Sequence, residues 1–328
     1  MALEKQLMGR ASALLPLLQD EEVTDILING PRTLFVDRHG KLSRLESPFD
    51  DPASIGDFIE RLLIPIGKRI DSAHPYIEGR LVDGSRFHIL LPPVASGGPF
   101  ISIRKLGRGS QCALASFGSV EIVDWLRTQV HNRQNILICG GTGTGKTTLL
   151  TKLLDEVPAT ERIAILEESR EIQTSHPHAV RLEARTASPD GTGEVTLRCL
   201  IRNTLRMRPD RILLGECRGE EAFDLIQAMN TGHPGSFSTL HANSAQDALK
   251  RLESLTLLSG FQIPLRAIRE WIASAIQVVV FLQRRDDERK IAEVMTVSGL
   301  EGEVYRVSPR YRQLEDRVRG QESGIRGL

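Results

Sequence analysis

This sequence has no net charge and no long apolar run. Its 42 basic residues balance its 42 acidic residues, so no global electrostatic attraction to nucleic acid or acidic lipid is expected. No apolar stretch approaches the ~20 residues that a membrane-spanning helix needs. The N-terminus also lacks the charged-then-apolar pattern of a signal peptide. We therefore expect no transmembrane segment, and any work at a membrane would be done by contact from the cytoplasmic side.

Cysteine pairs and aromatic residues are also scarce. The four cysteines, at positions 112, 139, 199 and 217, form no CxxC pair, so a structural zinc site is not predicted. Cys139 and Cys217 lie in apolar, strand-like stretches and are predicted to be buried, reduced thiols. Aromatic residues make up only 5% of the chain, which leaves little surface for stacking on bases. Direct contact with nucleic acid is therefore not expected.

The length of 328 residues is more than one ordinary domain needs and favours two domains. Changes in composition along the chain suggest where they begin and end. The predicted segments are a short N-terminal helix (1–20), a smaller α+β domain (21–106), a linker rich in Gly, Ser and Ala (107–117), an α/β domain (118–307) and a loose tail (308–328).

The two domains differ in their hydrophobic patterns. In the first, short apolar runs separated by turn dipeptides predict a hairpin over 23–37, a helix over 53–63 and three further strands. In the second, strands and helices alternate, beginning with an apolar strand over 135–139, as in a doubly wound parallel sheet. The predicted fold class is therefore α/β, with a smaller α+β domain in front.

The segment GGTGTGKT, residues 140–147, fits the phosphate-binding pattern GxxxxGK[ST] and lies between a predicted strand and a predicted helix. Glycines let backbone N–H groups curl around a phosphate, and the helix that follows adds its positive N-terminal end. Lys146 would reach the β- and γ-phosphates, and the Thr147 hydroxyl would be a ligand of Mg²⁺. The residues predicted to bind ATP here are Gly141, Thr142, Gly143, Thr144, Gly145, Lys146, Thr147 and Thr148.

Acidic residues end two other apolar strands of this domain. The strand RILL is followed by Gly215 and Glu216. It is expected next to the strand that precedes the phosphate-binding loop (the P-loop, residues 140–147), which would place Glu216 near Mg²⁺, as a direct ligand or through a bound water. The strand over 162–166 ends in Glu167 and Glu168, one of which could orient or deprotonate an attacking water. The plainer interpretation of each acid is a solvated charge at a strand end.

Histidines and arginines leave more alternatives open. His241, at the end of the strand over 236–240, could sense the γ-phosphate or could be a hydrogen-bonded structural residue. Arg198, Arg202 and Arg206 share one face of a helix and form either a surface stripe or a source of an arginine acting on a neighbouring nucleotide site.

The ordered set of motifs resembles the type II/IV secretion-system ATPase family, most closely its CpaF/TadA-like branch, over residues 23 to 307. In the first domain the resemblance is carried by DILINGP, DGSR (83–86) and ISIRK (101–105). In the second it is carried by GGTGTGKTTLL, the acidic box ILEESREI, GEVTLRCLIRNTLRMRPDRILLGECRG, QAMNTGHPGSFSTLHAN and IPLRAIREWIASAIQVVVFL.

The resemblance implies a cytoplasmic homohexamer, peripheral at the inner membrane, in which a PAS-like domain precedes a RecA-like ATPase domain. Each subunit would use ATP and Mg²⁺ to drive pilus assembly or retraction, or protein secretion, with inner-membrane platform proteins as partners. It also implies site roles: Glu167 as the general base of the acidic box, Glu216 as the Walker B acid and His241 as the histidine-box residue. Arg86 and Arg104 would face the nucleotide, and Arg185 would be a further contact.

The sequence departs from the family pattern in three places. Glu168 stands where the acidic box usually has Asp, the chain has only about 20 residues before the match, and a tetracysteine insert is missing. Two other functional classes stay open at this stage, a nucleic-acid motor and a nucleotide-binding regulator without turnover.

Overall fold

A computed structural model describes residues 2–38, 41–106, 112–187, 191–285 and 288–312. The chain divides into two units, Met1–Ser110 and Gln111–Leu328. None of the helices in the described part of the chain combines the length and the apolar character that a bilayer crossing requires.

The first unit is built on a six-stranded antiparallel sheet with strand order β3-β2-β1-β6-β5-β4. Its elements are α1 (Ala2–Gln6), α2 (Leu15–Gln19), β1 (Val23–Asn29), β2 (Leu34–Arg38), β3 (Lys41–Leu45), α3 (Pro52–Leu63), β4 (Tyr76–Arg80), β5 (Arg86–Leu90) and β6 (Phe100–Arg104). The predicted hairpin is confirmed as the β1–β2 pair. Helix α3 starts at a capping box, in which Asp51 accepts from the Ser54 N–H, and it buries Phe58 and Leu62 in the core of this unit.

The N-terminal segment corrects two predictions. It is not one helix, because the short α1 is followed by a 3₁₀ segment over Gly9–Leu14 and then by α2. Gly9 has a φ of 70°, a left-handed conformation that interrupts a helix. The segment is also not separate from the domain that follows, since Leu7, Leu14 and Leu18 are buried in the core of the first unit.

The second unit carries an eight-stranded sheet with strand order β14-β13-β12-β7-β11-β10-β8-β9. Its elements are a 3₁₀ turn (Leu114–Phe117), α4 (Val120–His131), β7 (Ile136–Gly140), α5 (Lys146–Leu154), β8 (Ile163–Glu167), β9 (Ala179–Glu183), α6 (Leu197–Thr204), β10 (Arg211–Leu214), α7 (Glu221–Asn230), β11 (Phe237–Leu240), α8 (Ala245–Leu257), α9 (Leu265–Ala275), β12 (Val278–Arg285), β13 (Glu288–Glu301) and β14 (Val304–Arg312).

Parallel pairing runs from β12 through β7, β11, β10 and β8 to β9, and β13 and β14 extend the sheet in antiparallel fashion. Alternate residues of β7 point into different cores. Leu137 belongs to the core formed with α6 to α9, whereas Ile136 and Ile138 belong to the core formed with α4 and α5. Helices therefore cover both faces of the sheet, and the prediction of an α/β doubly wound fold is confirmed.

Several predicted boundaries shift in this unit. Leu114 and Phe117 belong to the predicted linker, but they are buried in the core with α4 and α5, because two apolar anchors outweigh the small polar residues around them. Residues 107–111 of the linker lie outside the described residues. The predicted tail starts too early, since β14 continues to Arg312, and 313–328 lie outside the described residues. Helix α4 and strands β3 and β9 were not predicted.

A buried ion pair between Arg211 and Glu161 joins several elements near the start of strands β8 and β10. Arg211 is fully buried at the start of β10, and its Nε and Nη2 donate to Glu161 at 2.7 and 3.1 Å. Its Nη1 donates to the carbonyls of Val130 and Gly235. Gly235 has a φ of 79°, and a Cβ at this position would lie 2.5 Å from Nη1 of Arg211. This guanidinium therefore holds α4, β8, β10 and the turn before β11 together.

The Glu161 carboxylate is expected to make stability depend on acidity. Burial alone would raise the pKa of Glu161, but the hydrogen bond and charge of Arg211, with Arg133, outweigh burial and hold the pKa below its ordinary value. A lowered folded-state pKa means that this stabilisation is complete above the unfolded-state pKa, about 4.3, and is lost as pH falls through the folded-state pKa. We expect the unfolding free-energy difference between the wild type and Glu161→Gln, measured by urea unfolding, to shrink from pH 7 to pH 3. A difference that stays constant across this range would contradict the assignment.

Candidate functional site

The candidate site lies at the carboxyl edge of the parallel strands, where ligands bind in open α/β sheets. The P-loop follows β7, Glu167 ends β8, Glu216 follows β10 and His241 follows β11. One expectation about strand order is wrong, because β10 is not the neighbour of the P-loop strand. Strand β11 lies between them and pairs with both. His241, which follows β11, therefore lies between the P-loop and Glu216.

The P-loop has the backbone geometry that its glycines allow. Gly143 and Gly145 have φ values of 73° and 93°, and Gly145 is the N-cap of α5, which begins at Lys146. A Cβ at Gly140 would lie 2.5 Å from the Leu282 carbonyl oxygen of the neighbouring strand. The loop therefore needs glycine for its conformation and its packing, and the first N–H groups of α5 have no intrahelical acceptor.

Lys146 lies against the loop that it follows. Its Nζ donates to the carbonyls of Gly140 and Gly141 at 3.1 and 2.9 Å, and the side chain is buried. Burial lowers the pKa of Lys146, and the nearby charge of Glu216 opposes this shift. A desolvated ammonium beside free helix N–H groups is an electrostatic complement of an anion.

His241 connects Lys146 to Glu216. Its Nδ1 lies 3.5 Å from Lys146 Nζ, and its Nε2 lies 2.7 Å from Glu216 Oε1. Burial lowers the pKa of His241, and so does the charge of Lys146. The hydroxyl of Thr239 donates to the Gly215 carbonyl at 2.7 Å, which ties the end of β11 to the segment that carries Glu216. Both interpretations of His241 stay open, because these contacts fit a hydrogen-bonded structural residue as well as a sensor beside the P-loop lysine.

The two acids of the acidic box have different surroundings. Glu167 is buried, and its Oε1 accepts the N–H groups of Glu171 and Ile172 at 2.8 Å each. Burial raises the pKa of Glu167, partly offset by these two N–H groups. Glu168 is half-exposed and pairs with Arg218 at 2.8 Å. Glu167 therefore holds the backbone of the loop after β8, whereas Glu168 pairs with a charged side chain at the sheet edge.

Arg218 is a site residue that the sequence interpretation did not single out. Its guanidinium contacts both Glu168 and Glu216. A basic residue two positions after the acid in GECRG was the available signal, but the contact with Glu168 depends on the pairing of β8 with β10. The spacing of residues within GECRG alone could not have predicted the contact between Arg218 and Glu168.

The other predicted arginines are placed elsewhere. The Arg185 guanidinium donates to the Gly193 carbonyl, and the backbone of Arg185 pairs with Val195. Its role as a nucleotide contact stays a prediction. Arg198 and Arg202 both pair with Asp224 of α7 at 2.7 and 2.8 Å. These two members of the predicted stripe therefore join α6 to α7.

Arg86 and Arg104 are adjacent in the sheet of the first unit, where they are paired directly across β5 and β6. Arg80 pairs with Arg86 across β4 and β5, which extends the row to three arginines on one face. Arg104 also contacts Asp25 of the next strand at 2.9 Å. Like charges placed directly opposite one another destabilise a sheet, and the role of Arg86 and Arg104 as nucleotide contacts stays a prediction.

The donor set in the second unit fits a magnesium–triphosphate ligand. The loop and α5 supply backbone N–H groups, Lys146 supplies an ammonium, Thr147 supplies a hydroxyl and Glu216 supplies a carboxylate. Mg²⁺ in such sites takes one or two protein ligands together with phosphate oxygens and waters. Among the described residues there is no group of three or more His, Cys, Asp or Glu side chains placed to hold a metal.

Comparison with known proteins identifies a family and several similar proteins. A family model described as "Type II/IV secretion system protein" matches residues 9–307. A putative conjugal transfer protein of Mycobacterium tuberculosis is 39% identical over 317 residues, covering 93% of this chain and 89% of the relative. The type IV secretion system protein PtlH of Bordetella pertussis is 32% identical, with 88% and 94% covered. A solved structure of the pilus retraction motor PilT with bound ADP covers 86% of this chain and 77% of its own, with a TM-score of 0.61 and 18% identity, and shares the fold.

Proposed function

Because the chain belongs to the type II/IV secretion system protein family, we propose that it is a P-loop ATPase whose turnover of ATP powers a secretion or pilus machine. The observation that carries the proposal is the connection from Lys146 through His241 to Glu216, with contacts of 3.5 and 2.7 Å. A phosphate-binding lysine and a strand-end carboxylate near the metal are parts that phosphoryl transfer in P-loop proteins uses, and His241 brings the two close together here.

The roles of the residues follow from their chemistry. Lys146 and the first N–H groups of α5 would bind the β- and γ-phosphates, and Thr147 and Glu216 would hold Mg²⁺, with Glu216 acting directly or through a water. When bound, the metal neutralises charge on the transferred phosphate. Burial raises the pKa of Glu167, which makes it a stronger base than an exposed glutamate, and we assign it the role of accepting a proton from water. His241 would link the γ-phosphate side of the P-loop to the Glu216 segment.

The finer predictions complete the proposal. We place the protein in the CpaF/TadA-like branch, as a cytoplasmic homohexamer at the inner membrane that acts on platform proteins of a pilus or secretion system. The second unit is proposed to be RecA-like and the first PAS-like. The row containing Arg86 and Arg104 would supply positive charge to the nucleotide. The part of this proposal that concerns a secretion system is supported by the name of PtlH, a type IV secretion system protein of comparable length.

Substitution of the two acids tests the chemistry. Glu216→Gln and Glu167→Gln should each slow ATP hydrolysis by at least ~10²-fold, the scale of a general base, with little change in nucleotide affinity. In Glu167→Gln the new amide oxygen can still accept the N–H groups of Glu171 and Ile172, so the loop after β8 should persist. Steady-state ATPase assays and nucleotide titrations measure the two quantities separately. Glu303→Gln, at an exposed acid, serves as the control. Loss of nucleotide binding in both variants would show that the site is misplaced.

A further inference from the structure

Two carboxylates from neighbouring strands are held side by side at the sheet edge. Strands β8 and β10 pair in parallel, with Leu166 opposite Leu214. Glu168 and Glu216 each lie two residues beyond that pair, so the register brings them to the same level. Two carboxylates in such proximity repel each other unless a cation lies between them.

Arg218 is the cation between these carboxylates. Its Nη1 donates to Glu168 Oε2 at 2.8 Å, and its Nη2 donates to Glu216 Oε2 at 2.5 Å. The backbone at this position is also held, because the N–H groups of Arg218 and Gly219 donate to Oε1 of the buried Glu221 at 2.6 and 2.8 Å. Glu221 is the first residue of α7, so the guanidinium projects from a point fixed by a helix.

Arg218 donates to Oε2 of Glu216, whereas Nε2 of His241 lies 2.7 Å from the buried Oε1 without making a hydrogen bond to it. A planar guanidinium can engage two carboxylates at once with a defined geometry, whereas an ammonium is a single point of charge. The hydrogen bond from Arg218 therefore orients the Glu216 carboxylate, and Glu168 fixes the guanidinium that makes this bond.

We propose that Arg218 is a positioning residue for ATP hydrolysis, which bridges Glu168 and Glu216 and holds the Glu216 carboxylate in its working orientation. This inference rests on the proposed function and deepens it. It gives Glu168 a role distinct from that of its neighbour Glu167, because Glu168 acts on the reaction through Arg218.

The test compares Arg218→Gln, Arg218→Lys, Glu168→Gln and the double variant Arg218→Gln/Glu168→Gln with the wild type. Arg218→Gln should lower kcat by roughly 10- to 100-fold, the range for a displaced catalytic group, while the Kd for Mg-ATP changes less than about 3-fold because the P-loop is untouched. Arg218→Lys should recover part of kcat, because lysine keeps the charge but cannot bridge both acids. Arg312→Gln, which removes an exposed arginine paired with Glu293, should leave kcat unchanged.

Coupling between the two positions supplies two further readouts, kcat and a melting temperature that does not depend on turnover. If Glu168 acts through Arg218, the double variant should have the same kcat as Arg218→Gln alone. The melting-temperature shifts of the two single variants, measured without nucleotide, should likewise be non-additive. Additive effects on kcat and melting temperature, full activity of Arg218→Gln, or full activity of Arg218→Lys would each overturn the inference. Failure of the proposed function is a different result, namely a wild type with no turnover above Lys146→Ala.

Discussion

Lys146→Ala is expected to abolish ATP turnover and to weaken nucleotide binding by at least ~10²-fold. The ammonium is the only cation that contacts the P-loop carbonyls Gly140 and Gly141 among the described hydrogen bonds. It is also desolvated, so its interaction with an anion is stronger than that of an exposed lysine. The variant removes this charge and at the same time breaks the link to His241. Titration with a fluorescent ATP analogue and a phosphate-release assay measure the two losses.

Lys152→Ala is the matched control for this experiment. Lys152 lies on the same helix, in its last turn, and contacts Asp155 at 3.9 Å. Its removal takes one lysine and one positive charge from α5 without touching the loop, so binding and turnover should stay at wild-type levels. Equal losses in both variants would mean that the effect comes from helix stability or overall charge. Turnover in Lys146→Ala that matches the wild type would rule out this P-loop as the site of hydrolysis.

Arg211→Ala is expected to be the most destabilising single change in the second unit, by about 3–5 kcal/mol, the range for removing one partner of a buried ion pair. The guanidinium is fully buried and makes a two-point contact with Glu161. Its loss leaves Glu161 with Arg133 as its ion-pair partner at 3.1 Å and leaves the carbonyls of Val130 and Gly235 without these bonds. Urea unfolding followed by tryptophan fluorescence measures the change. Both tryptophans, Trp125 and Trp271, lie in the second unit, so the signal reports on it alone.

Two comparisons separate the buried pair from other causes. Arg312→Ala removes an exposed arginine that pairs with Glu293 and should cost less than ~1 kcal/mol. The double variant Arg211→Met/Glu161→Met should be clearly more stable than Arg211→Ala, because it leaves no buried charge without a partner. A loss below ~1 kcal/mol in Arg211→Ala would contradict the role of this pair.

Much of this architecture could be predicted from local patterns. The strand before the P-loop, the helix after it and the strand RILL that precedes Glu216 follow from apolar runs with clear boundaries. The turn dipeptides of the first unit likewise predicted its hairpin. The missed helix α4 had a readable pattern, with Ile122, Val123, Leu126 and Val130 buried.

What the sequence determined by itself is the chemistry of single segments: a glycine-rich loop that can wrap a phosphate, and acids and a histidine at strand ends. These follow from φ preferences, hydrophobic periodicity and residue type, all of which act over a few positions. Which of those groups touch was decided only by the tertiary structure. Lys146 and His241 are 95 residues apart in sequence, and they meet because β11 takes the place beside β7. Arg218 reaches Glu168 because β8 pairs with β10 in one register, and the pairing order of parallel strands is set by the packing of the whole sheet.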